Sequence, residues 1–379
     1  MTNRIAALGV LLLLVLPVQG ATAGPAPGTF VTVVGDNPDS LNPYLHSLAA
    51  SSAVFRYTFD SLYTVNSKGE WIPALAVGYT VSPDALAWTF KLRPGVSWSD
   101  GAPFTAADVK FSWQLVTNKD VRITYATGFD KIASIDTPDP LTVVYHLKEP
   151  YAPFRDQVMG AAVVPQHVLG ALTGDQVNRA PFNQKPVGTG PFTISEFVTD
   201  DHVTLTANPQ YWGKKAKLRR IIVRIVPDQN AQVNLLRAGD LSVLTVPAAR
   251  LEEVKRMPNI VIKRYLEATY ALVQLDEYEF LREVPVRQAL DFATPKGSII
   301  RNIMKGQAEP AVSDMVPNGP WAHKALHPRP YDLAQARRIL RESGFTPGPG
   351  GFLYRGGRRL EIPLWTLSGR VNFVQAVQV

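Results

Sequence analysis

Apolar and polar side chains alternate most clearly between residues 86 and 98. In WTFKLR, Trp88, Phe90 and Leu92 alternate with polar residues, which is the period of a half-buried strand. Other segments rich in β-branched residues predict strands at 29–35, 141–147, 191–197, 203–208, 220–226 and 241–246. The residues between 197 and 203 predict a hairpin.

Helical periodicity follows residues that can cap a helix. Thr105 with Asp108 three positions later predicts a capping box, and Asp228 and Asp332 predict two further helix starts. Predicted helices cover 106–116, 229–238, 247–257, 286–293, 297–305 and 333–343. A strand, a helix and a strand across 220–246 predict a βαβ unit, so we expect an α/β fold with a parallel or mixed sheet.

The segment WSDGAPFTAADVK, residues 98–110, contains two carboxylates that could form an acid/base pair. Asp100 precedes a glycine in turn chemistry, and Asp108 stands at the third position of a helix. A turn and a cap account for both residues, so we interpret the segment as framework.

Composition indicates an exported protein with more than one core. The chain has 379 residues, no cysteine and a formal net charge of +7 that is too dispersed to indicate nucleic-acid binding. Residues 5–18 form an apolar run behind Arg4, and Ala21-Thr22-Ala23 follows it, so we expect a secretory signal peptide cleaved near Ala23. The sequence has no other apolar run long enough for a membrane span.

No catalytic motif stands out. The sequence lacks H-E-x-x-H, G-x-S-x-G and Walker A patterns, and GTGPF at 188–192 lacks the third glycine of a dinucleotide site. His323 and His327 have the spacing of a metal pair but no third ligand nearby. We therefore predict no catalytic residue, no metal and no cofactor, and favour an exported ligand-binding protein.

Several segments, taken in order, resemble the family 5 bacterial extracellular solute-binding proteins, the peptide-, opine- and nickel-binding components of ABC importers. The resemblance runs from about Thr29 to the end of the chain and is carried by LNPYLHSLAAS, PALAVGYTVSPDALAWTFKLRPGVSWSDGAPFTAADVKFSW, VGTGPFTISEF, NPQYWG, VRQALDFA and YDLAQARRILRESGF. It implies a two-lobed periplasmic-binding-protein-like fold with mixed sheets and an additional inserted domain in the first lobe.

The resemblance also implies a division of the chain. After the signal peptide, 1–23, we expect the first lobe's sheet domain at 24–60 and 186–275, its inserted domain at 61–185 and the second lobe at 276–379. VNFVQAVQV at the end looks like the first turns of a helix that simply stops, so we expect the second lobe to be incomplete.

The function implied by the resemblance is capture of oligopeptides or dipeptides by lobe closure and delivery to an ABC transporter permease with its ATPase. No bond is made or broken, so the protein is not expected to be an enzyme. We expect a periplasmic monomer that contacts the membrane only through the permease. The alternatives are a nickel, metal-chelate, opine or sugar binder of the same fold, or a secreted hydrolase.

Six residues are the candidate ligand contacts that the resemblance implies. Tyr44 and His46 lie in the LNPYLHS loop, and Tyr125 and Phe129 follow the inserted domain's helix. The remaining two are Gln274, an amide where relatives commonly carry asparagine, and Trp321 in the second lobe.

Overall fold

The computed structural model of the chain describes residues 24–265, 273, 275, 279–313, 315, 323 and 325–364. The predicted signal peptide and the predicted final helix lie outside these residues. The chain divides into two compact units. The first contains the described residues up to Val226 together with Asn234–Leu244, and the second contains Pro227–Val233 and the described residues from Thr245 onward. The domain boundaries implied by the resemblance stay a prediction.

The first unit is built on two four-stranded sheets and one two-stranded sheet. Its strands are β1 Thr29–Val34, β2 Tyr63–Val65, β3 Trp71–Pro73, β4 Ala76–Val81, β5 Ala87–Leu92, β6 Ile132–Asp139, β7 Thr142–Leu147, β8 Phe192–Val198, β9 His202–Ala207 and β10 Arg220–Ile225. The sheet orders are β1-β10-β9-β8, β4-β5-β7-β6 and β2-β3. Strand β1 runs parallel to β10, with Thr29 opposite Arg220, and the other pairs are antiparallel.

Short helices connect these strands. They are α1 Ala49–Phe55, α2 Ala106–Thr117, α3 Gln166–Leu169, α4 Gly174–Asn178 and α5 Gln229–Ala238, the last spanning residues of both units. Single helical turns of 3₁₀ or π type lie at Phe129–Lys131, Arg155–Met159 and Pro181–Asn183.

The second unit is mainly helical among its described residues. Its helices are α6 Leu251–Val254, α7 Val284–Ala293, α8 Lys296–Ser298 and α9 Leu333–Glu342, with further turns at Ala248–Arg250, Glu279–Arg282, Ile299–Ile303 and Pro349–Gly351. A small sheet joins β11 Thr346–Pro347, β12 Leu353–Arg355 and β13 Arg358–Arg359.

Among the described residues, the buried side chains form three clusters, two within the first unit and one within the second. The largest surrounds the β4-β5-β7-β6 sheet and α2 and includes the fully buried Phe90, Trp98 and Phe154. The second packs α1 on the sheet that contains β1. The third, in the second unit, joins α7 and α9 around Phe345. Apolar burial on this scale is the main stabilising contribution to each unit.

Most of the strands predicted from the sequence are confirmed, but the strand predicted at 241–246 is wrong. That segment is hydrogen-bonded to β1 through Ser242, which donates its backbone N–H to the Val31 carbonyl at 2.8 Å and accepts at its hydroxyl from the Val31 N–H at 3.0 Å. A side-chain hydroxyl takes the place of a backbone carbonyl, so the ladder does not continue. The parallel pairing of the mixed sheet comes from β1 and β10 instead.

The WSDGAPFTAADVK segment is framework, as predicted. The Thr105 N–H donates to Asp108 Oδ2 at 2.9 Å, completing the predicted cap of α2. The other oxygen of Asp108 accepts from the Gln166 N–H at 3.0 Å, which fixes the start of α3. Asp100 accepts from the Ala102 N–H at 3.2 Å and lies 2.7 Å from His167 Nε2. Asp108 thus joins two helix starts, and Asp100 joins a turn to His167.

None of the helices within the described ranges is long and apolar enough to cross a bilayer.

Candidate functional site

The first unit contains a cavity of about 550 Å³, here called the front cavity. Its wall combines the loop before α1, the end of α1 and the segments around 125–129 and 156–162. Four of the six sequence-predicted residues, Tyr44, His46, Tyr125 and Phe129, line it together. A cavity of this size lies in the range of small-molecule sites.

Tyr44 and Phe129 form the rigid part of the wall. Both are almost fully buried, and their rings meet edge-on with centroids 6.1 Å apart. The Tyr44 hydroxyl donates to the Ala162 carbonyl, and burial raises the pKa of Tyr44, so this phenol stays protonated. These two residues shape the cavity more than they present polar groups to it.

His46 is the one imidazole of the front cavity. Its ring packs edge-on against Phe55 at 4.7 Å and lies 4.9 Å from the ring of Tyr125. His46 Nδ1 is 3.0 Å from the Pro43 carbonyl oxygen, which can only accept, so the proton sits on Nδ1. Burial lowers the pKa of His46, partly offset by that carbonyl and by the charge of Asp39. The ring is therefore mainly neutral at pH 7, and Nε2, which has no hydrogen-bond partner among the described residues, keeps its lone pair.

Asp39 fixes the loop that carries His46. Its carboxylate accepts from the hydroxyls of Ser47 and Ser51, each at 2.5 Å, and from the Ser47 N–H at 2.7 Å. Burial alone would raise the pKa of Asp39, but these hydrogen bonds outweigh it and lower the pKa to about 2. The loop is held by an ionised carboxylate over the whole physiological pH range.

Tyr125 and Arg56 are two exposed side chains of the front cavity. Tyr125 is 53% exposed, and Arg56 at the end of α1 is also exposed. The residue before Tyr125 is tied to the opposite wall, because the Thr124 N–H donates to the Tyr44 carbonyl at 3.0 Å. The ring of Tyr125 and the guanidinium of Arg56 are thus available to a bound solute. The backbone beside Tyr125 is held in place by the Thr124 hydrogen bond.

Asp60 also lines the front cavity, and the sequence pattern did not nominate it. Trp212 Nε1 donates to Asp60 Oδ2 at 2.8 Å. Burial raises the pKa of Asp60 to about 6, although the hydrogen bonds from Trp212 and Thr189 act in the opposite direction. Its position between Phe59 and the Leu62-Tyr63 pair, close to apolar residues on both sides, was the local signal for this residue.

The two remaining candidates, Gln274 and Trp321, lie outside the residues that the structure describes. His323 and His327 do lie within them. Across the described part of the chain, no group of three or more His, Asp or Glu side chains is placed to hold a metal ion.

The family of the chain is established by its match to a family model. The model of the bacterial extracellular solute-binding proteins, family 5, matches residues 70–379. The chain belongs to this family. The α/β fold class and the family resemblance predicted from the sequence are confirmed.

Among curated family relatives, protein XP55 of Streptomyces lividans is 33% identical over 341 residues, covering 89% of this chain and 61% of XP55. The oligopeptide-binding protein AppA of Bacillus subtilis is 27% identical over 348 residues, covering 89% of this chain and 64% of AppA. The chain thus spans less than two thirds of the curated relatives it matches.

Two solved structures of the family are similar to this fold. NikZ from Campylobacter jejuni, in complex with Ni(L-His), has a TM-score of 0.83 and 28% identity, with 92% of this chain and 69% of NikZ covered. AppA in complex with a nonapeptide has a TM-score of 0.81 and 25% identity, with 87% of this chain and 67% of AppA covered.

Proposed function

We propose that this chain is the solute-binding component of an ABC importer and that its solute is a peptide. The observation that carries the proposal is that four residues nominated as ligand contacts line one cavity, in a chain of the solute-binding family. AppA, 25% identical, was solved with a nonapeptide, which favours a peptide over other solutes. On this proposal Gln274 and Trp321 add further contacts.

The proposed mechanism is binding without covalent chemistry. Peptides offer backbone donors and acceptors, and the front cavity offers the Nε2 lone pair of His46, the cation of Arg56 and the carboxylate of Asp60. The ring of Tyr125 provides a face for a side chain. The loaded protein would then be recognised by the permease of the importer.

Peptide binding is testable with the accessible aromatic residue. Isothermal titration with peptides identified by mass spectrometry of co-purified ligand should give an affinity that Y125A weakens about tenfold, the scale of a lost aromatic contact. F352A is the matched control, since Phe352 is 50% exposed but lies in the second unit. Equal affinities for Y125A and the wild type would contradict the assignment of the front cavity.

A nickel chelate is the second candidate solute. It is favoured by the likeness to NikZ, which was solved with Ni(L-His), and by the free Nε2 of His46 in the front cavity. Binding of Ni(L-His) that H46A abolishes, with peptide affinity absent, would replace the peptide proposal. Binding of Ni(L-His) that H46A leaves unchanged would remove His46 from a metal role.

We also propose that the protein is exported to the periplasm through cleavage near Ala23. The support is the apolar run at 5–18, the small residues that follow it and the extracellular character of the family. N-terminal sequencing of protein recovered from a periplasmic extract should begin just after Ala23. Recovery with Met1 intact would contradict cleavage.

A further inference from the structure

The second unit contains a smaller cavity, here called the basic cavity, of about 300 Å³. It lies where the end of α7, the segment of α8 and the residues before α9 come together. Lys296, Arg301 and Arg329 line it, and its described lining contains no acidic side chain. Three cations around one small space repel one another unless negative charge is supplied.

Asp291, behind the cavity wall, supplies part of that charge. Lys296 Nζ donates to Asp291 Oδ1, and Arg329 Nη1 donates to Asp291 Oδ2 at 2.8 Å. Arg329 also stacks over the ring of Phe292 at 5.9 Å. These hydrogen bonds outweigh the effect of burial and lower the pKa of Asp291, so it stays ionised. One carboxylate thus orients two cations and neutralises the charge of one.

Arg301 is the third cation, and within the described residues it has no ion pair. Its guanidinium lies over Gly297, where an added Cβ would be 3.3 Å from Arg301 Nη1. Among the described residues, the three cations share one ion-pair partner, Asp291, so two positive charges have no carboxylate paired with them there. A guanidinium can bind an oxyanion through two parallel hydrogen bonds, so Arg301 is the natural recognition group.

The wall of the basic cavity suits a small charged group. Four of its lining residues are prolines, Pro295, Pro310, Pro328 and Pro330, which have fixed φ angles and no N–H. They form stiff walls that cannot provide hydrogen-bond donors of their own. Donors are therefore concentrated on the cationic side chains and the hydroxyls of Ser298 and Tyr331.

We propose that the basic cavity is a binding site for a small oxyanion, a phosphate or a carboxylate group, held by Arg301 with Lys296 and Arg329. The site lies in the second unit and does not depend on the solute proposed for the front cavity. The ligand chemistry is shared by free phosphate and by carboxylates, so the two sources are separated by experiment.

The test is titration calorimetry of the full chain with sodium phosphate and, separately, sodium acetate at pH 7 and low ionic strength. R301Q should weaken binding of the preferred anion about tenfold, the scale of a charge-assisted hydrogen bond. R301K should give an intermediate affinity, since it keeps the charge but loses the fork. R337Q is the matched control, because Arg337 is exposed on α9 and does not line the cavity.

Tighter binding of phosphate than acetate would identify a phosphate site, and the reverse would identify a carboxylate site. Arg301 makes no ion pair in the described chain, so R301Q should keep the wild-type melting temperature, which circular dichroism checks. Equal weakening by R301Q and R337Q would mean general attraction to a basic surface and would overturn the proposal. If neither phosphate nor acetate binds, the proposal is overturned as well.

Discussion

Asp39 and Asp60 show how one residue type takes opposite electrostatic states in this fold. Hydrogen bonds from two serine hydroxyls outweigh the cost of burial at Asp39, and its pKa falls to about 2. Burial dominates at Asp60, and its pKa rises to about 6. Asp108 is buried and is fixed by backbone N–H groups from two helix starts. At Asp39 and Asp60, the surroundings of the carboxylate decide the direction in which its pKa moves.

Asp60 predicts an unusual pH dependence of stability. Its folded pKa of about 6 exceeds the ordinary 3.8, so the folded state binds the proton more tightly than the unfolded state does. Its contribution to stability is fully present below pH 4 and is lost as the pH rises through 6. D60N cannot titrate, so its free energy of unfolding relative to wild type should rise by about 2–3 kcal/mol between pH 4 and pH 7.

Urea unfolding of both proteins at several pH values measures this difference. D39N is the control with the opposite sign, because the pKa of Asp39 is lowered and its stabilisation is lost as pH falls below 4. A difference between D60N and wild type that does not change with pH would contradict the raised pKa.

Asp108 should matter more than an ordinary cap. Its two oxygens accept from the N–H groups of Thr105 and Gln166, and the side chain is buried. D108A would leave both donors without a partner, so we expect a loss of about 2–3 kcal/mol in the free energy of unfolding. T173A removes an exposed capping box on α4 and should cost only about 1 kcal/mol. Equal losses in urea unfolding would contradict the double role.

At the scale of elements, close backbone packing explains why the GTGPF segment contains two glycines. No bound nucleotide is needed to account for them. A Cβ on Gly188 would lie 1.9 Å from the Thr58 carbonyl oxygen, and one on Gly190 would lie 2.6 Å from the Tyr57 carbonyl oxygen. The Gly190 N–H donates to the Thr58 carbonyl at 2.8 Å, and the Phe192 N–H donates to the Tyr57 carbonyl at 3.0 Å. Two backbone segments meet here with no room for a side chain.

The close approach predicts a large effect from one methyl group. G188A should lower the free energy of unfolding by about 3 kcal/mol or more, because the backbone must move apart. G78A on β4 is the matched control, since a Cβ there meets nothing within 4 Å and should change stability little. Thermal melts of the two variants give the comparison, and similar melting temperatures would contradict the account.

Local sequence signals predicted many of the helices and strands. The strand that they missed and the one that they predicted wrongly both have physical causes. Caps at Asp228 and Asp332 and the alternation in β5 and β7 act within a few residues, so the sequence reveals them. Strand β6 escaped prediction because two register shifts break its period of two. The segment at 241–246 failed because Ser242 uses its hydroxyl where a strand would use its carbonyl.

The front cavity was predictable only in part. Tyr44, His46, Tyr125 and Phe129 were nominated by family resemblance, since no periodicity distinguishes them from core aromatics. Asp60 was missed because its partner, Trp212, is distant in sequence and brought close only by the fold. Burial and tertiary contacts set the chemistry of a site, and neither is local.

At the scale of the whole molecule, the three clusters of buried side chains divide between the units unequally. The second unit relies on a small cluster of Phe280, Val286, Ala289, Ala336, Leu340 and Phe345. Arg355 reinforces it, since its guanidinium pairs with Glu283 and stacks 4.5 Å from the centre of the Phe345 ring. Truncation of one buried side chain in so small a core should therefore lower its stability strongly, because a cavity is left behind.

Removal of the central ring should therefore loosen this unit. F345A is expected to cost about 3–5 kcal/mol, the scale of a buried phenylalanine truncated to alanine. Hydrogen exchange in α7 and α9, followed by mass spectrometry, should accelerate. F352A removes a half-exposed ring of the same unit and should leave this exchange nearly unchanged. Equal protection in the two variants would contradict the central role of Phe345.

The parallel pairing of β1 with β10 has a consequence for the order in which the chain folds. β1 is synthesised long before β10, its strand partner among the described residues, because Thr29 pairs with Arg220. The hairpins of β8, β9 and β10 close over short loops, whereas β1 must close a loop containing the whole β4–β7 sheet. We expect β1 to dock late and slowly, leaving its apolar edge open to chaperones during that interval.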